Sequence, residues 1–506
     1  MHTALLLEMA AGAFPDRVAF GPFEGGLTYG ELAARARAGG AWLAAQGADK
    51  VVFIGLNGPA MPTALFAAGE IGRPFAPLNY RLPDAELRRL LARTAPSIAI
   101  VDDDMAARVA GTEGVVVHPR SAFDAACQDP ALRDAPPPEA DPDIAVLLFT
   151  SGTTGDPKVA VLRHRHLTAY VISTVEFMGA EEGECALVSV PPYHVASIAA
   201  VLTGVYSGRR TVYLPAFTPE DWVDLAATEH VTHAMVVPTM LGRVLDVLDV
   251  LAARGEHLPA LRALSYGGGR MPQAVIERAL DLLPQVDFVN AYGLTETSST
   301  IAVLTAEDHR AALGSDDPAV RRRIGSVGRP MPHLELQIRG PDGEPLGPNE
   351  SGEVYVRGEQ ISGEYLHRTA LQADGWFATN DAGWLDEDGY LYVEGRLDDV
   401  IVRGGENISP GEIEDVLRQH PAVADVAVLG VPDNEWGERV ACVLVARGAR
   451  PSTEELAGLV RGRLRSTKTP ELWEFREALP YNETGKLLRR QLRAELTASA
   501  PLRASG

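Results

Sequence analysis

The sequence predicts an α/β protein with more than one domain. We expect a large N-terminal domain, made of two doubly wound α/β subdomains and a small antiparallel β subdomain, followed by a small α+β C-terminal domain. The chain has 506 residues, which is too long for a single hydrophobic core. Strand-like and helix-like runs alternate up to about residue 320, and short alternating runs replace them afterwards.

The first α/β stretch begins with a helix predicted over residues 28–47. Thr28 and Glu31 have the spacing of a capping box, which satisfies free N–H groups at a helix start. Buried strands are predicted at 51–56 and 98–101, and helices at 61–71 and 84–93. Such alternation is typical of a largely parallel sheet that helices cover on both faces.

A proline- and acid-rich connector, 132–143, precedes the second α/β stretch. That stretch is predicted to contain the strands 186–190, 211–214, 233–237, 263–266 and 286–290, and the helices 219–229 and 239–253. Antiparallel β structure is predicted over 325–394, with strands at 334–339 and 353–357. The C-terminal unit is predicted to contain the helices 410–419 and 453–464 and the strands 423–429 and 439–446.

These patterns predict domains at 1–397 and 398–496, with a disordered tail at 497–506. The formal net charge of −22 argues against nucleic-acid and anionic-membrane partners, which favour basic surfaces. The three cysteines have no paired spacing, so we expect buried or incidental thiols in a reducing compartment. No apolar run is long enough to span a membrane and no signal peptide is evident. We therefore expect a cytoplasmic protein; a homodimer is one of the states that the sequence allows.

A glycine- and hydroxyl-rich segment, 149–158, follows the apolar run 144–148. Small residues let the backbone approach a ligand closely, and hydroxyl and N–H donors suit phosphate oxygens. The spacing is not that of a Walker A loop. Taken alone, the segment could equally serve turn geometry. Its candidate phosphate-binding residues are Thr150, Ser151, Gly152, Thr153, Thr154, Gly155 and Lys158.

Three further motifs follow in fixed order: 292–297, 374–396 and 482–486. Together with the segment 149–158 they resemble the acyl-adenylate-forming superfamily of acyl-CoA synthetases, peptide-synthetase adenylation domains and luciferases. The resemblance covers nearly the whole chain. It implies ATP, Mg²⁺ and a small-molecule carboxylic acid as reactants, with coenzyme A as co-substrate.

The resemblance also implies roles in the ATP site. Tyr292 would stack on adenine, Thr295 would contact the α-phosphate, and Glu296 would hold Mg²⁺ together with Thr153. Asp381 and Arg396 would bind the ribose hydroxyls. Taken alone, Glu296 would be a helix-start carboxylate and Asp381 a turn residue. The remaining residues of the implied nucleotide site are Gly268, Gly269, Ala291 and Gly293.

Two segments of the C-terminal part are similar to moving parts of the superfamily. Asp398 corresponds to the hinge of a mobile C-terminal domain, and Lys486 to the catalytic lysine of the first half-reaction. A turn formed by Arg403, Gly404 and Gly405 corresponds to the wall of the coenzyme A tunnel. The same turn also fits a simple helix start, capped by Ser409 with Pro410 at the first helical position.

The acyl pocket is implied by a segment around His194, a residue that borders the reacting carboxylate in the superfamily. Taken alone, His194 would more often be a core histidine. The implied lining residues are Tyr193, His194, Val195, Ser197, Met235 and Gly267.

The chain departs from the superfamily pattern at two positions. Val159 stands where relatives usually carry glycine, so we expect an extended exit from the phosphate loop, because a β-branched residue disfavours positive φ. Asn380 also replaces a glycine, and asparagine adopts the left-handed conformation more readily than most residues.

The best interpretation is an AMP-forming acyl-CoA synthetase for a fatty or aryl acid. Its C-terminal sequence, 465–488, most resembles that of actinobacterial fatty-acid–CoA ligases. The segment after His194 lacks the aspartate that amino-acid adenylation domains use. Two alternatives stay open: another acyl acceptor, such as a carrier protein or oxygen, and nitrite activation for diazotisation of an aryl amine. A phosphoryl-transfer enzyme is disfavoured because Walker A and kinase motifs are missing. Retention of Lys486 and Glu296 disfavours a catalytically dead binding protein.

Overall fold

The structure is a computed structural model that describes residues 1–133, 143–150, 157–253, 255, 257–433, 435–481 and 487–499. Over these residues it shows a large N-terminal α/β part and a small α+β C-terminal part, as the sequence predicted. Most of the predicted connector lies outside the described residues. The helices span Thr3–Ala13, Tyr29–Ala45, Ala60–Glu70, Asp84–Ala92, Ala106–Val109, Arg120–Gln128, Pro130–Arg133, His164–Thr174, Val195–Ser207, Pro219–Thr228, Pro238–Ala252, Gln273–Leu282, Ala306–Gly314, Pro318–Arg322, Pro410–Arg418, Thr453–Arg461 and Arg489–Ser499.

The first sheet of the N-terminal part is covered on both faces. Alternate residues of its strand Val51–Ile54 enter two different hydrophobic clusters, because successive side chains of a strand point to opposite faces. Over the described residues its eight strands lie in the order Arg368–Thr369, Glu364–Tyr365, Lys158–Arg163, Ile144–Thr150, Phe75–Pro77, Val51–Ile54, Ser97–Val101 and Val115–Pro119.

The second sheet is mostly parallel and holds the predicted strands of the second α/β stretch. Within the described ranges its nine strands lie in the order Arg329–Pro330, Ser299–Leu304, Asp287–Leu294, Ala263–Gly267, His233–Val236, Cys185–Val188, Arg210–Tyr213, Val18–Phe20 and Leu27–Thr28. The antiparallel subdomain is confirmed as a sheet of Glu335–Arg339, Gly352–Arg357, Phe377–Leu385 and Leu391–Arg396.

Two predicted strands end later than expected, at Leu294 and at Asp433. The strand expected to end at residue 290 continues through Leu294 and pairs antiparallel with Ser299–Leu304. The hairpin partner satisfies the backbone N–H and C=O groups that a free strand end would leave to solvent. The motif 292–297 therefore begins inside a strand and ends in a single 3₁₀ turn, Thr295–Thr297.

The C-terminal part is built around the strand pair Val423–Asp433 and Gly437–Ala446. Alternate residues of Val423–Asp433 enter two clusters, one under the helices Pro410–Arg418 and Thr453–Arg461 and the other under Arg489–Ser499. The remaining strands of this sheet are Ile401–Arg403, Glu406–Ile408 and Leu472–Arg476. The predicted boundary at 397/398 stays a prediction.

Cys127, Cys185 and Cys442 are free and buried, as expected. None of the described helices has the length and apolar character needed to cross a membrane.

The predicted capping box of the helix Tyr29–Ala45 is present. Thr28 Oγ1 accepts the Glu31 N–H at 3.2 Å, and Glu31 Oε2 accepts the Thr28 N–H at 3.0 Å. We predict that Thr28→Ala costs about 1 kcal/mol of stability. Differential scanning calorimetry should show a midpoint lower by about 1–2 °C, because the shift per kcal/mol is small in a large protein. Thr28→Ser, which keeps the hydroxyl, should match the parent; an equal loss in both variants would contradict the capping role.

Candidate active site

The phosphate-loop candidate connects two antiparallel strands, Ile144–Thr150 and Lys158–Arg163. Thr150 pairs with Lys158 in the ladder, and Thr150 Oγ1 donates to the Lys158 carbonyl oxygen at 3.4 Å. Val159 is buried and extended, opposite Phe149, so the expected extended loop exit is confirmed. The predicted residues Ser151, Gly152, Thr153, Thr154 and Gly155 lie outside the described residues.

The predicted ribose and adenine residues lie in direct contact with each other. Tyr292 Oη donates to Asp381 Oδ2 at 2.5 Å, and Arg396 Nη1 lies 3.1 Å from Asp381 Oδ1. Asp381 and Arg396 are opposite each other in an antiparallel ladder, which fixes their pairing through the backbone. Burial and the neighbouring Asp381 raise the pKa of Tyr292 well above its ordinary value, so its hydroxyl stays a donor. Asn380 has φ 60°, which confirms the left-handed backbone expected there.

The turn that carries Thr295 and Glu296 is conformationally strained. Ser298 and Ser299 have φ angles of 57° and 115°, which residues with side chains rarely adopt. Hydrogen bonds compensate, because Thr297 Oγ1 donates to the Ser299 carbonyl oxygen at 2.7 Å and Ser298 Oγ donates to the Gln360 carbonyl oxygen at 2.8 Å. The turn therefore keeps its shape only while its neighbours hold it.

A segment formed by residues 360–365, which we call the clamp, holds this turn. Gln360 is fully buried and its Nε2 donates to the carbonyl oxygens of Thr297 and Thr300, both at 2.9 Å. The N–H groups of Ser362 and Gly363 donate to the Glu296 carbonyl oxygen at 2.9 and 3.0 Å. The clamp thus holds the backbone carbonyl groups of Glu296 and of the following Thr297.

The clamp also supplies Tyr365, a residue that the sequence analysis did not identify. Tyr365 Oη donates to Glu296 Oε1 at 2.7 Å, and Lys158 Nζ lies 5.6 Å from the Tyr365 ring centre. Tyr365 pairs with Ala160 of the strand that leaves the phosphate loop. No local sequence signal marks this tyrosine, because only the long-range pairing brings it to Glu296.

Several predicted pocket and nucleotide residues gather at the carboxyl ends of three adjacent parallel strands. Gly267 pairs with Ala291, and a Cβ at Gly267 would lie 2.3 Å from the Ala291 carbonyl oxygen, so only glycine fits there. Gly268 follows with φ 79°, ahead of Gly269. Met235 lies in the neighbouring strand, opposite Ser265. Ligands commonly bind at such strand ends in open α/β sheets.

The predicted pocket residues 193–197 surround the start of the helix Val195–Ser207. Burial lowers the pKa of His194 to about 4, so the imidazole is neutral at pH 7. The Tyr193 ring lies between Tyr80 and His194, with centroid distances of 6.0 and 5.3 Å. Ser197 is fully buried, and its hydroxyl has no hydrogen-bond partner in the described part of the chain.

A cavity of about 280 Å³ lies between the two α/β subdomains and the C-terminal part. Its walls include Asn57, Tyr80, Ser189, Val237 and Arg243 from the N-terminal part, together with Tyr481 from the C-terminal part. The six predicted acyl-pocket residues are not in its wall as described, although some of their sequence neighbours are.

The predicted hinge lies directly after the ribose site. Asp398 belongs to the 3₁₀ turn Leu397–Asp399, and its Oδ2 accepts Asn380 Nδ2 at 3.1 Å. Ser409 occupies the N-cap position with Pro410 at the start of the helix, as predicted. Its side chain makes no cap hydrogen bond, because Ser409 Oγ donates instead to the Glu394 carbonyl oxygen at 2.9 Å.

The predicted coenzyme A turn is not part of this cluster in the pose seen here. Arg403 Nη1 donates to the Thr467 carbonyl oxygen at 2.8 Å, and the Gly404 N–H donates to the Trp436 carbonyl oxygen at 2.8 Å. Gly404 and Gly405 have φ angles of 57° and 85°, as a tight glycine turn requires. Lys486 lies outside the described residues.

Two family models match the chain. The AMP-binding enzyme model matches residues 7–366, and the AMP-binding enzyme C-terminal domain model matches residues 412–486. Feruloyl-CoA synthase from Amycolatopsis sp. is 36% identical over 484 residues, which cover 92% of this chain and 93% of that protein. Fatty acid–[acyl-carrier-protein] ligase ScoC from Streptomyces coeruleorubidus is 33% identical, over 88% of this chain and 86% of its own length.

A solved structure with the same fold is o-succinylbenzoate coenzyme A synthetase from Bacillus subtilis in complex with ATP and magnesium ion. It is 28% identical, with a TM-score of 0.82 over 96% of this chain and 98% of that chain. These relatives confirm the predicted superfamily, the predicted fold and the enzyme class, an AMP-forming acid–thiol ligase. For that class they also confirm the predicted use of ATP, Mg²⁺ and coenzyme A.

The hairpin that carries the candidate metal ligand depends on a glycine. A Cβ at Gly293 would lie 1.9 Å from the Ser299 carbonyl oxygen, so Gly293→Ala must distort the hairpin. We predict a thermal midpoint lower by several degrees, measured by calorimetry. The matched control is Gly242→Ala, where a Cβ would meet nothing within 4 Å and helix propensity favours alanine. Equal midpoints for the two variants would contradict the predicted clash.

Proposed function

Because the chain belongs to the AMP-binding enzyme family, we propose that it activates an aryl carboxylic acid as its acyl-adenylate and transfers the acyl group to coenzyme A. The observation that carries this proposal is the contact of Tyr292, Asp381 and Arg396 in one cluster, joined through the strand to Glu296. These side chains bring an aromatic face, a ribose acceptor and a carboxylate together at one place, as the binding of an adenylate requires.

In the first step, a carboxylate oxygen of the acid attacks the α-phosphorus of ATP, and the bond to the bridging oxygen of pyrophosphate breaks. Negative charge develops at the α-phosphate, so cationic groups and N–H donors there lower the barrier. Thr295 and Lys486 are the proposed donors. In the second step, the thiolate of coenzyme A attacks the acyl carbon, AMP leaves, and the thiol proton passes to solvent.

The residues present fit a magnesium ion. The Glu296 side chain is half-buried, and one oxygen accepts the Tyr365 hydroxyl, whereas it forms no ion pair with the basic side chains that the structure describes. A carboxylate in this state is an appropriate ligand for Mg²⁺, and Thr153 would add a hydroxyl oxygen. When bound, the ion would neutralise charge on the phosphates of ATP.

The acyl subsite is proposed beside His194, at the strand ends that carry Met235 and Gly267. A neutral His194 can donate one hydrogen bond without neutralising the attacking carboxylate. The buried Ser197 hydroxyl, which has no partner among the described residues, supports an acid that offers an acceptor oxygen, because an unsatisfied buried donor is costly. Feruloyl-CoA synthase as a relative supports an aryl acid; the fatty-acid relative makes a fatty acid with a carrier-protein acceptor the second candidate.

The proposal predicts acid-dependent release of pyrophosphate and AMP from ATP. A panel of cinnamic, benzoic and fatty acids should be measured with coenzyme A, with an acyl carrier protein bearing its pantetheine arm, and without an acceptor. Lys486→Ala should lower the adenylation rate by about 10²–10³-fold, the size typical for loss of a transition-state donor. Thioester formation with the carrier protein alone would favour the second candidate, whereas ADP and phosphate as products would exclude both.

Tyr365 is expected to tune the magnesium dependence. Tyr365→Phe keeps the ring but removes the hydrogen bond that orients Glu296, so half-maximal adenylation should need about two- to tenfold more Mg²⁺. The thermal midpoint should stay within about 1 °C of the parent. Tyr170→Phe, at a buried position of the hydrophobic cluster that also contains Val51 and Phe53, is the control for loss of a hydroxyl. An unchanged Mg²⁺ titration in Tyr365→Phe would refute this role.

A further inference from the structure

Arg270 connects the N-terminal part with the C-terminal part. It follows Gly269 at the end of the strand Ala263–Gly267, and its guanidinium forms an ion pair with Asp415. The guanidinium also packs against Gly411, where a Cβ would lie 2.0 Å from Arg270 Nη1. Gly411 and Asp415 are four residues apart on one helix and therefore share a face. Arg270 thus contacts this helix both through the ion pair with Asp415 and through close packing against Gly411.

The same helix holds the segment that follows Lys486. Asp415 Oδ1 lies 3.6 Å from Arg418 Nη1, and Arg418 Nη2 lies 3.5 Å from Glu414 Oε2. The other Glu414 oxygen accepts Arg489 Nη2 at 2.5 Å. A series of ion pairs with alternating acidic and basic side chains therefore connects Arg270 with Arg489. Arg489 is three residues after Lys486 in the sequence.

The two ends of the segment 482–486 are also fixed to each other. Tyr481 and Leu487 form a β-bridge, and the Leu488 N–H donates to the Pro480 carbonyl oxygen at 2.9 Å. Tyr481 Oη donates to Asp425 Oδ2 at 2.7 Å. Tyr481 also lines the cavity between the two parts of the chain. The position of the helix Pro410–Arg418 on the N-terminal part therefore determines where Tyr481 and Leu487, the residues on either side of this segment, lie.

We propose that Arg270 is a positioning residue for the first half-reaction: its ion pair with Asp415 holds the C-terminal part in the pose that delivers Lys486 to the α-phosphate. Rotation at Asp398 before thioester formation breaks this ion pair. This inference rests on the two-step function proposed above. Arg270 sets the position of Lys486 and does not itself contact the reacting atoms.

The two half-reactions separate this role from a purely structural one. Arg270→Gln should slow single-turnover release of pyrophosphate by about two- to fivefold, the range for a partly exposed ion pair. Thioester formation from supplied acyl-adenylate and coenzyme A should stay unchanged or become faster. Added NaCl should slow the first half-reaction of the parent and leave that of Arg270→Gln nearly constant, because salt screens the pair.

The matched control is Arg278→Gln. Arg278 is similarly exposed, but its ion pairs with Asp246 and Asp249 lie within the N-terminal part. It should leave the ratio of the two half-reactions unchanged. Equal slowing of both half-reactions in Arg270→Gln, or none in either, would overturn the proposal.

A distance measurement tests the same inference without catalysis. Spin labels on Val250→Cys and Glu454→Cys, both exposed, can be attached selectively because the native cysteines are buried. Double electron–electron resonance should give one main distance between the two labels in the parent. In Arg270→Gln it should give a second population of label distances. Identical distributions would refute the positioning role. If no acid released pyrophosphate from the parent, the proposed function would fail, while these distances would still decide whether Arg270 docks the C-terminal part.

Discussion

The hydrogen bonds of the clamp, residues 360–365, are the constraint on which the candidate active site depends. They hold a turn with two residues at positive φ, and such a turn persists only where its surroundings fix it. The buried Gln360 amide satisfies two carbonyl oxygens of the turn, and Ser362 Oγ donates to the Val161 carbonyl oxygen in the strand behind the phosphate loop. The clamp therefore connects the two α/β sheets. It does so beside Lys158 and Glu296, the candidate ligands of phosphate and metal.

This constraint explains how a protein with a formal net charge of −22 can offer a site for a polyanion. Lys158 and Arg396 lie at the ends of strands that the clamp and the antiparallel subdomain hold in register, so their charges are fixed near the candidate nucleotide site. Charges that are preorganised in this way stabilise developing negative charge without reorganisation during the reaction. In the proposed first half-reaction the C-terminal part supplies Lys486, so the docking of this part onto the N-terminal part is the variable step.

Local signals in the sequence were sufficient for most of the helices and strands and for three candidate site residues that meet in the structure, Tyr292, Asp381 and Arg396. The helix predicted over 28–47 is observed at Tyr29–Ala45, because a capping box is encoded within four residues. Asp381 and Arg396 came from motifs and meet in the structure. The sequence did not reveal Tyr365 or Gln360, because their roles arise from contacts with residues far away in the chain. The end of the strand Asp287–Leu294 was missed for a similar reason, since its antiparallel partner extends it.

In the proposed first half-reaction, a carboxylate oxygen becomes bonded to the α-phosphorus of ATP. The most direct test converts an acid labelled with ¹⁸O in both carboxylate oxygens, in the presence of ATP and coenzyme A, and measures the mass of the AMP formed. We expect one ¹⁸O atom in AMP, because the attacking oxygen stays on phosphorus when the thiolate displaces AMP. Unlabelled AMP, or ¹⁸O in inorganic phosphate together with ADP, would contradict it.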